Sequence, residues 1–145
     1  MKLADSNVWL ALSLSEHEHH ARAAAWFSER TVADGIGFCR STQLALLRLL
    51  TTRAVLSLYG NPPLTNKQAW ELYDALVADP RVSFLSEPKD LDVLWKQLAT
   101  SPSSSPKLWM DAYLAAFAIA GQHQLVTIDT AFTQFPNLDL VMLSS

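Results

Sequence analysis

The sequence predicts a three-layer α/β fold, in which a parallel sheet of about four to five strands is flanked by helices on both faces. Short apolar segments alternate along the chain with longer segments of helical periodicity, and this alternation is typical of βαβ units. Half of the 145 residues are hydrophobic, so the chain can bury a core without disulfides. At this length we expect a single domain over residues 1–145.

The first four elements are expected to be a strand, two helices and a second strand. Residues 1–5 form a short apolar segment, and residues 8–14 continue as an apolar helix. The polar segment 15–20, which contains three histidines, is expected to begin the next helix as a solvated first turn. Residues 36–39 follow an Asp-Gly turn and are expected to form the second strand.

A long leucine-rich helix is expected next. Ser41 or Thr42 is a good N-cap for it, and the leucines extend the helical pattern towards residue 59. The Gly-Asn-Pro-Pro segment at 60–63 then breaks the chain. Thr65 is expected to cap a further helix, because apolar residues recur after it at helical spacing.

The C-terminal half continues the alternation. A strand over 81–85 precedes a helix over 87–99, whose apolar residues follow the i, i+3, i+4, i+7 pattern. The Ser- and Pro-rich segment 101–106 is expected to be a loop at the rim of a site. Residues 107–120 are apolar nearly all round, which predicts a buried helix that ends at Gly121. Two more apolar segments complete the sheet, at 125–128 and 138–143.

Composition restricts the classes of function. A net charge of −3 argues against a protein that binds nucleic acid nonspecifically over a broad surface. A small metal site can still bind one or two phosphates, because the cation itself supplies positive charge. The acidic surface suits a basic partner. Cys39 is the single cysteine and is expected to be a small buried hydrophobic residue. Since the chain opens with a strand and has no apolar segment of membrane-spanning length, we expect it in the reducing cytoplasm, away from membranes.

Three aspartates lie where apolar segments meet helix starts. Asp5 follows the first strand, Asp129 follows the fourth, and Asp111 lies early in the apolar helix over 107–120. The carboxyl ends of parallel strands share one edge of a sheet, where ligand sites form. Crowded carboxylates repel each other unless a cation lies between them, and Mg²⁺ is held by a few carboxylates together with water and phosphate oxygens. The three aspartates therefore predict a metal site that acts on a phosphodiester.

Each aspartate also has a simpler explanation. Asp5 and Asp129 each precede a helix or turn, and aspartate is a favoured N-cap. Asp111 is harder to explain in this way, since an unpaired carboxylate on a buried helix would be costly. The alternative for Asp111 is a position in an exposed first turn, where the helix dipole favours an acid.

Other phosphate and metal sites fit less well. A phosphatase of the haloacid dehalogenase type needs an aspartate at the position of Asn7, and a response-regulator receiver needs a lysine after a late strand, beyond Lys107. The histidines within 17–20 lack the helical zinc motif, because Ala21 stands where the second histidine would fall.

Several segments together resemble the PIN-domain nucleases. Residues 3–12 resemble the opening of those proteins, residues 109–118 their later acidic helix, and residues 126–132 their last acidic strand end. The segments His19-His20-Ala21 with Trp26-Phe27, and Thr42-Gln43-Leu44 with Leu47-Arg48-Leu49-Leu50, resemble the VapC toxin branch. The likeness spans nearly the whole chain in the right order.

This resemblance implies a ribonuclease that is the toxin of a type II toxin–antitoxin pair. Members of the branch use Mg²⁺ or Mn²⁺ to cleave RNA, usually form homodimers and are silenced by a cognate antitoxin protein. For this chain the expected metal and catalytic residues are Asp5, Asp111 and Asp129. Ser6 and Thr127 are expected to hydrogen-bond the carboxylates, and Arg48, Arg53 and Lys107 are candidate phosphate contacts.

One position departs from the family pattern. Where the family usually has a glutamate, early in the helix after the second strand, this chain has Gln43. Its amide carries no negative charge, although its carbonyl oxygen can accept from water or ligate a cation weakly. The site then has three formal charges in place of four, and we expect weaker metal affinity. An alternative function follows: a catalytically weakened binding module that keeps an antitoxin or RNA interface.

Overall fold

The computed structural model describes residues 1–143, which form the predicted three-layer α/β fold. Within that range the sheet has five strands, all parallel, in the order β3-β2-β1-β4-β5. The strands are β1 (Lys2–Ala4), β2 (Ile36–Phe38), β3 (Val82–Phe84), β4 (Gln124–Thr127) and β5 (Leu140–Met142).

Helices connect the strands. Within residues 1–143 they are α1 (Ser6–Ser13), α2 (His20–Ser28), α3 (Arg40–Leu50), α4 (Arg53–Leu56), α5 (Asn66–Val77), α6 (Leu91–Ala99) and α7 (Leu108–Ala120). Two short 3-10 segments, Ser57–Tyr59 and Thr130–Gln134, follow α4 and β4. No helix in this part of the chain combines the length and apolar character needed to cross a bilayer.

A separate hydrophobic cluster covers each face of the sheet. Leu3 and Leu125 contribute to the cluster formed with α7, whereas Ala4 and Val126 contribute to the cluster formed with α1, α2, α3 and α5. Successive side chains of a strand point to opposite faces, so these two pairs divide between the two layers of helices.

The strand order reverses between β1 and β4. From β1 the chain moves to β2 and β3 on one side, and the later strands β4 and β5 lie on the other side. Ala4 at the end of β1 is paired with Val126, so Asp5 and Thr127 are the next residues on the two neighbouring strand ends. In open α/β sheets such a point of reversal leaves a crevice at the carboxyl edge.

The helix predicted to begin within 15–20 begins at His20. The preceding residues form turns, because the backbone N–H of His19 donates to Nδ1 of His17 at 3.0 Å. The imidazole ring of His17 is buried and stacks on Tyr59 with ring centroids 4.7 Å apart. The prediction of a solvated helix start was therefore wrong for His17.

Two other helix boundaries differ from the prediction. The leucine-rich helix begins at Arg40, with Cys39 as its N-cap, and ends at Leu50 instead of continuing towards residue 59. The hydroxyl of Thr52 donates to the carbonyl of Arg48 at 2.6 Å, which competes with continuation of the helix. The helix predicted from residue 87 begins after Asp90, whose left-handed backbone (φ 67°) is incompatible with a helix interior.

Candidate metal and catalytic site

Asp5, Asp111 and Asp129 lie at the carboxyl edge of the sheet. Asp5 is the N-cap of α1 and directly follows β1, and Asp129 is the N-cap of the 3-10 segment after β4. Asp111 lies in the first turn of α7 and is partly buried. A cavity of about 230 Å³ is lined by both Asp5 and Asp111. Asp5 and Asp129 thus cap the segments that follow them and also lie at the same edge of the sheet.

The buried hydroxyl of Thr127 connects two of the acids. It donates to Oδ2 of Asp5 at 2.8 Å and accepts from the backbone N–H of Asp129 at 3.0 Å. The amide oxygen of Asn7 accepts from the N–H of Ile128 at 3.4 Å and ties α1 to the same strand end. The carboxylate of Asp5 and the backbone of Asp129 are therefore held by one set of hydrogen bonds.

The carboxylates influence each other's protonation. Burial raises the pKa of Asp5, against the hydrogen bonds from Thr127 and Ser6, and the charges of Asp111 and Asp129 raise it further. Burial also raises the pKa of Asp111, the ammonium of Lys107 opposes that rise, and Asp129 adds to it. The charge of Asp129 thus contributes to the raised pKa of both Asp5 and Asp111.

Lys107 supplies a positive charge to the acids. Its ammonium donates to Oδ2 of Asp129 at 3.0 Å and lies 3.9 Å from Oδ2 of Asp111. The pKa of Asp129 is lowered, first because Ala131 N–H donates to Oδ1 at 2.9 Å and also because of Lys107. The hydrogen bond with Asp129 in turn raises the pKa of Lys107. The side chain of Lys107 is 71% exposed, so this pair is open to exchange with other cations.

The donor set suits a hard divalent cation. Across residues 1–143 no three His, Cys, Asp or Glu side chains are close enough to hold one ion as they stand. Mg²⁺ needs only one or two carboxylates, however, since water and substrate phosphate complete its octahedron. The charges of Asp111 and Asp129 raise the pKa of Asp5, and carboxylates that repel in this way gain from a cation placed between them. The chemistry of the site therefore fits Mg²⁺ or Mn²⁺.

The predicted supporting residues divide between two places. Ser6 lines the acidic cavity, and its backbone N–H donates to Oδ1 of Asp5 at 2.7 Å. Gln43 is buried, and its Oε1 accepts from Nη1 of Arg40 at 2.6 Å, so its carbonyl already has a donor. Arg48 is exposed near the end of α3 and lines a different cavity beside Trp70. Gln43 and Arg48 are not among the residues that line the acidic cavity.

The structure adds residues that sequence reasoning did not place at the site. The remaining lining residues of the acidic cavity are Ser41, Thr42, Ala45, Met110, Leu114 and Phe132. The sequence could have indicated Met110 as a residue of the site, because it directly precedes Asp111 on the same helix. The start of α3 could have been placed there as well, since it follows β2 at the same edge of the sheet.

Comparison with known proteins agrees with this architecture. The PIN domain family model matches residues 2–138. The chain is 50% identical over 145 residues to Ribonuclease VapC41 of Mycobacterium tuberculosis, with 99% of each chain covered. It is 29% identical over 136 residues to Ribonuclease VapC37 of the same organism, with 93% of this chain and 92% of the relative covered.

Solved structures share the fold at low sequence identity. VapBC2 from Rickettsia felis, solved bound to a DNA fragment from its promoter, matches with a TM-score of 0.65 at 14% identity, covering 97% of each chain. Mycobacterium tuberculosis VapC20, described as a Sarcin-Ricin loop cleaving toxin, matches with a TM-score of 0.64 at 17% identity, covering 92% of this chain and 93% of that one. The chain belongs to the PIN domain family and, within it, to the VapC ribonucleases.

Proposed function

We propose that the chain is a metal-dependent ribonuclease and the toxin of a type II toxin–antitoxin pair. The observation that carries the proposal is the position of Asp5, Asp111 and Asp129 at the edge where the strand order reverses, with Asp5 and Asp111 lining one cavity and the ammonium of Lys107 within 4 Å of Asp111 and Asp129. A relative 50% identical over the full chain is named a ribonuclease, which supports the same activity here.

The proposed cofactor is Mg²⁺, with Mn²⁺ as the other candidate. Asp5 and Asp111 would hold the ion directly or through water, and Asp129 would complete the set or orient the attacking water. When bound, such an ion lowers the pKa of a coordinated water and offsets charge on the scissile phosphate.

The chain's own groups prepare the site for an RNA phosphate. Thr127 and the N–H of Ser6 hold the carboxylate of Asp5 in one orientation. The N–H of Ala131 holds Oδ1 of Asp129, so that Oδ2 faces Lys107. Because Lys107 is exposed and already lies at the acids, we propose that its ammonium contacts a phosphate oxygen of the substrate.

A protein partner is part of the proposal. Solved VapBC assemblies share the fold, which supports an antitoxin partner for this chain. Exposed apolar side chains offer a surface for an antitoxin or for a second copy in a homodimer. They belong to α3, the 3-10 segment after α4, and α5: Leu44 (59% exposed), Leu58 (76%) and Trp70 (49%).

Asparagine at either of two acids tests the catalytic assignment. We expect Asp5→Asn and Asp111→Asn each to lower RNA cleavage by more than about 100-fold, since losing a metal ligand should cost more than losing a residue that only orients one. Asparagine is also a good N-cap, so Asp5→Asn should keep α1 intact. Cleavage of total RNA with added Mg²⁺ is measured beside circular dichroism and thermal unfolding.

Asp74→Asn is the matched control. Asp74 is exposed on α5, so the same change there should leave cleavage unaltered. If folded Asp5→Asn and Asp111→Asn proteins both cleave as fast as the wild type, the acidic cavity is not the catalytic site.

The weakened binding module remains the second candidate. The observation in its favour is Gln43, whose carbonyl oxygen is already taken by Arg40 and whose amide adds no charge. Such a module would keep its protein or RNA interface but would not bind Mn²⁺ at millimolar concentration in a calorimetric titration. Binding of the ion together with cleavage of RNA excludes it.

A further inference from the structure

A second, larger cavity lies at the start of α7, where Trp109 in its lining directly precedes Met110 of the acidic cavity. It has a volume of about 700 Å³ and lies between α6, the loop over 100–106 and the start of α7. Its size falls in the range of about 300–1,000 Å³ that is typical of small-molecule sites. Nothing in the ribonuclease mechanism described above uses this cavity.

Two tryptophans form the aromatic part of its lining. Trp109 is 59% exposed and lines the cavity. Trp95 is fixed in place, because its Nε1 donates to the carbonyl of Trp109 at 3.0 Å and its ring meets Tyr113 edge-on, with centroids 5.4 Å apart. The Trp109 side chain therefore offers a large aromatic surface on a rigid support.

Most of the remaining lining surface is apolar, and its polar groups are the hydroxyls of the loop and the ammonium of Lys96. Hydroxyl groups of the loop form a chain, with Ser101 Oγ 3.1 Å from Ser103 Oγ, which lies 3.3 Å from Ser105 Oγ. Lys96 is the cation among the lining residues, and among the described residues that line the cavity none is acidic. In a chain of net charge −3, this cavity is thus suited to an anionic ligand with a flat ring and polar edges.

The cavity and the acidic site share one stretch of chain. The loop that lines the cavity leads directly into Lys107, whose ammonium contacts Asp129. On α7, Trp109 lines the larger cavity, Met110 lines the acidic one, and Asp111 follows. Met110 directly follows Trp109 in the first turn of α7, so the two cavities lie on neighbouring sides of the same helix start, where one polynucleotide can reach both.

We propose that this cavity binds an unpaired nucleobase of the RNA substrate, stacked on Trp109, while the adjoining phosphate lies at the acids. The inference rests on the proposed ribonuclease function and adds to it a base-binding subsite at Trp109. Unpaired bases stack on aromatic side chains and hydrogen-bond through their edges, which matches tryptophan beside serine hydroxyls.

Removal of one ring tests this inference. Fluorescence anisotropy in a chelator measures binding of a labelled oligoadenylate and of the same sugar-phosphate chain without bases, which has equal charge. We expect Trp109→Ala to weaken binding of the oligoadenylate by about 5- to 150-fold, the range for one base–aromatic stack. The chain without bases should bind Trp109→Ala and wild type alike.

Two further variants serve as controls. Trp109→Phe keeps an aromatic face and should retain most of the affinity for oligoadenylate. Val32→Ala truncates another exposed apolar side chain, 66% exposed and lining neither cavity, and should leave binding of both probes unchanged.

The contrary outcomes are distinct. If the wild type cleaves RNA but Trp109→Ala binds oligoadenylate as tightly as the wild type, the inference is wrong and the proposed function stands. If Trp109→Ala instead changes the sedimentation coefficient without changing RNA affinity, the cavity is a contact between copies of the chain, which also overturns the inference. A wild type that neither binds nor cleaves RNA overturns the proposed function and this inference together.

Discussion

The hydroxyl of Thr127 shows how one residue can organise an acidic site. It is fully buried, donates to Asp5 and accepts from the backbone of Asp129. This buried hydroxyl has a hydrogen-bond partner both as donor and as acceptor, so it is not left as an unpaired polar group at the strand end. The positions of the two acids are therefore set by the same group that terminates β4.

Lys107 is the second residue that shapes the site, and its role is electrostatic. Its ammonium lies within 4 Å of two carboxylates, Asp111 and Asp129. A divalent ion at the same acids would carry a like charge, so the ammonium and the ion should compete. We expect Lys107 to lower the metal affinity of the protein while it neutralises the acids.

A Lys107→Ala variant tests that competition. An exposed ion pair contributes at most about 1 kcal/mol, so the variant should bind Mn²⁺ up to about fivefold more tightly than the wild type. Calorimetric titration gives the affinity directly, without reference to cleavage. Lys107→Arg keeps the charge and should behave as the wild type. Equal Mn²⁺ affinity for Lys107→Ala and wild type would show that the ammonium does not compete with the ion.

At the site, the sequence was most informative where the signal was local. Asp5 and Asp129 each follow an apolar strand, and both acids occupy the predicted edge of the sheet. The pairing of Lys107 with Asp129 joins residues 22 positions apart and depends on how α7 packs beside β4, which periodicity does not reveal. The hydrogen bond from Arg40 to Gln43 spans three residues, but it depends on a rotamer choice that residue type does not fix.

At the scale of elements, the order of strands and helices was predictable but several helix ends were not. From the alternation of apolar segments, each of the five strands was predicted in its observed order along the chain. The ends of α3 and α6 depend on Thr52, which bonds back to a carbonyl, and on Asp90, which adopts a left-handed backbone. Both residue types are also found inside helices, so only the tertiary setting decides between continuation and termination.

The turn between α5 and β3 is held by one ion pair. The Asp79 carboxylate accepts from the N–H of Arg81 at 2.9 Å and from its guanidinium at 2.7 and 3.1 Å. The same guanidinium lies 4.1 Å from the ring of Phe27 and donates to the carbonyl of that residue at 3.2 Å. The pair thus joins the start of β3 to the end of α2.

An Asp79→Asn variant should lose stability in a pH-dependent way. The Arg81 side chain holds the pKa of Asp79 below its usual value of 3.8. The folded state therefore binds this proton less tightly than the unfolded state, so the stabilisation is present above the usual pKa and is lost as the pH falls through the folded pKa. At neutral pH we expect a loss of about 1 kcal/mol or less, because the pair is partly exposed.

Thermal unfolding at neutral pH and in acid measures this effect. The difference between Asp79→Asn and wild type should disappear in strong acid, where both side chains are neutral. Asp74→Asn, on the exposed side of α5, is the control and should match the wild type at every pH. A difference that persists unchanged in acid would mean that the turn depends on packing and not on the charge of Asp79.

At the scale of the whole molecule, the negative net charge of the protein is unfavourable for binding the proposed RNA substrate. A net charge of −3 repels a polyanion, yet the proposed site must hold RNA. Two lysines lie where the RNA is proposed to bind, since Lys96 lines the larger cavity and Lys107 contacts Asp129. We therefore expect RNA binding to depend on a few phosphate contacts and on base stacking, and not on a broad basic surface.

The salt dependence of RNA binding tests this view of the whole molecule. For single-stranded nucleic acid the logarithm of the binding constant falls with the logarithm of salt concentration with a slope of about −0.7 per neutralised phosphate. Two lysines at the site therefore predict a slope of roughly −1.4 for oligoadenylate in a chelator. Lys96→Ala should reduce the steepness by about 0.7, whereas Lys67→Ala on the exposed side of α5 should leave it unchanged. A wild-type slope steeper than roughly −3, which corresponds to more than about four phosphates, would show that the protein grips RNA over a much wider surface than these two cavities.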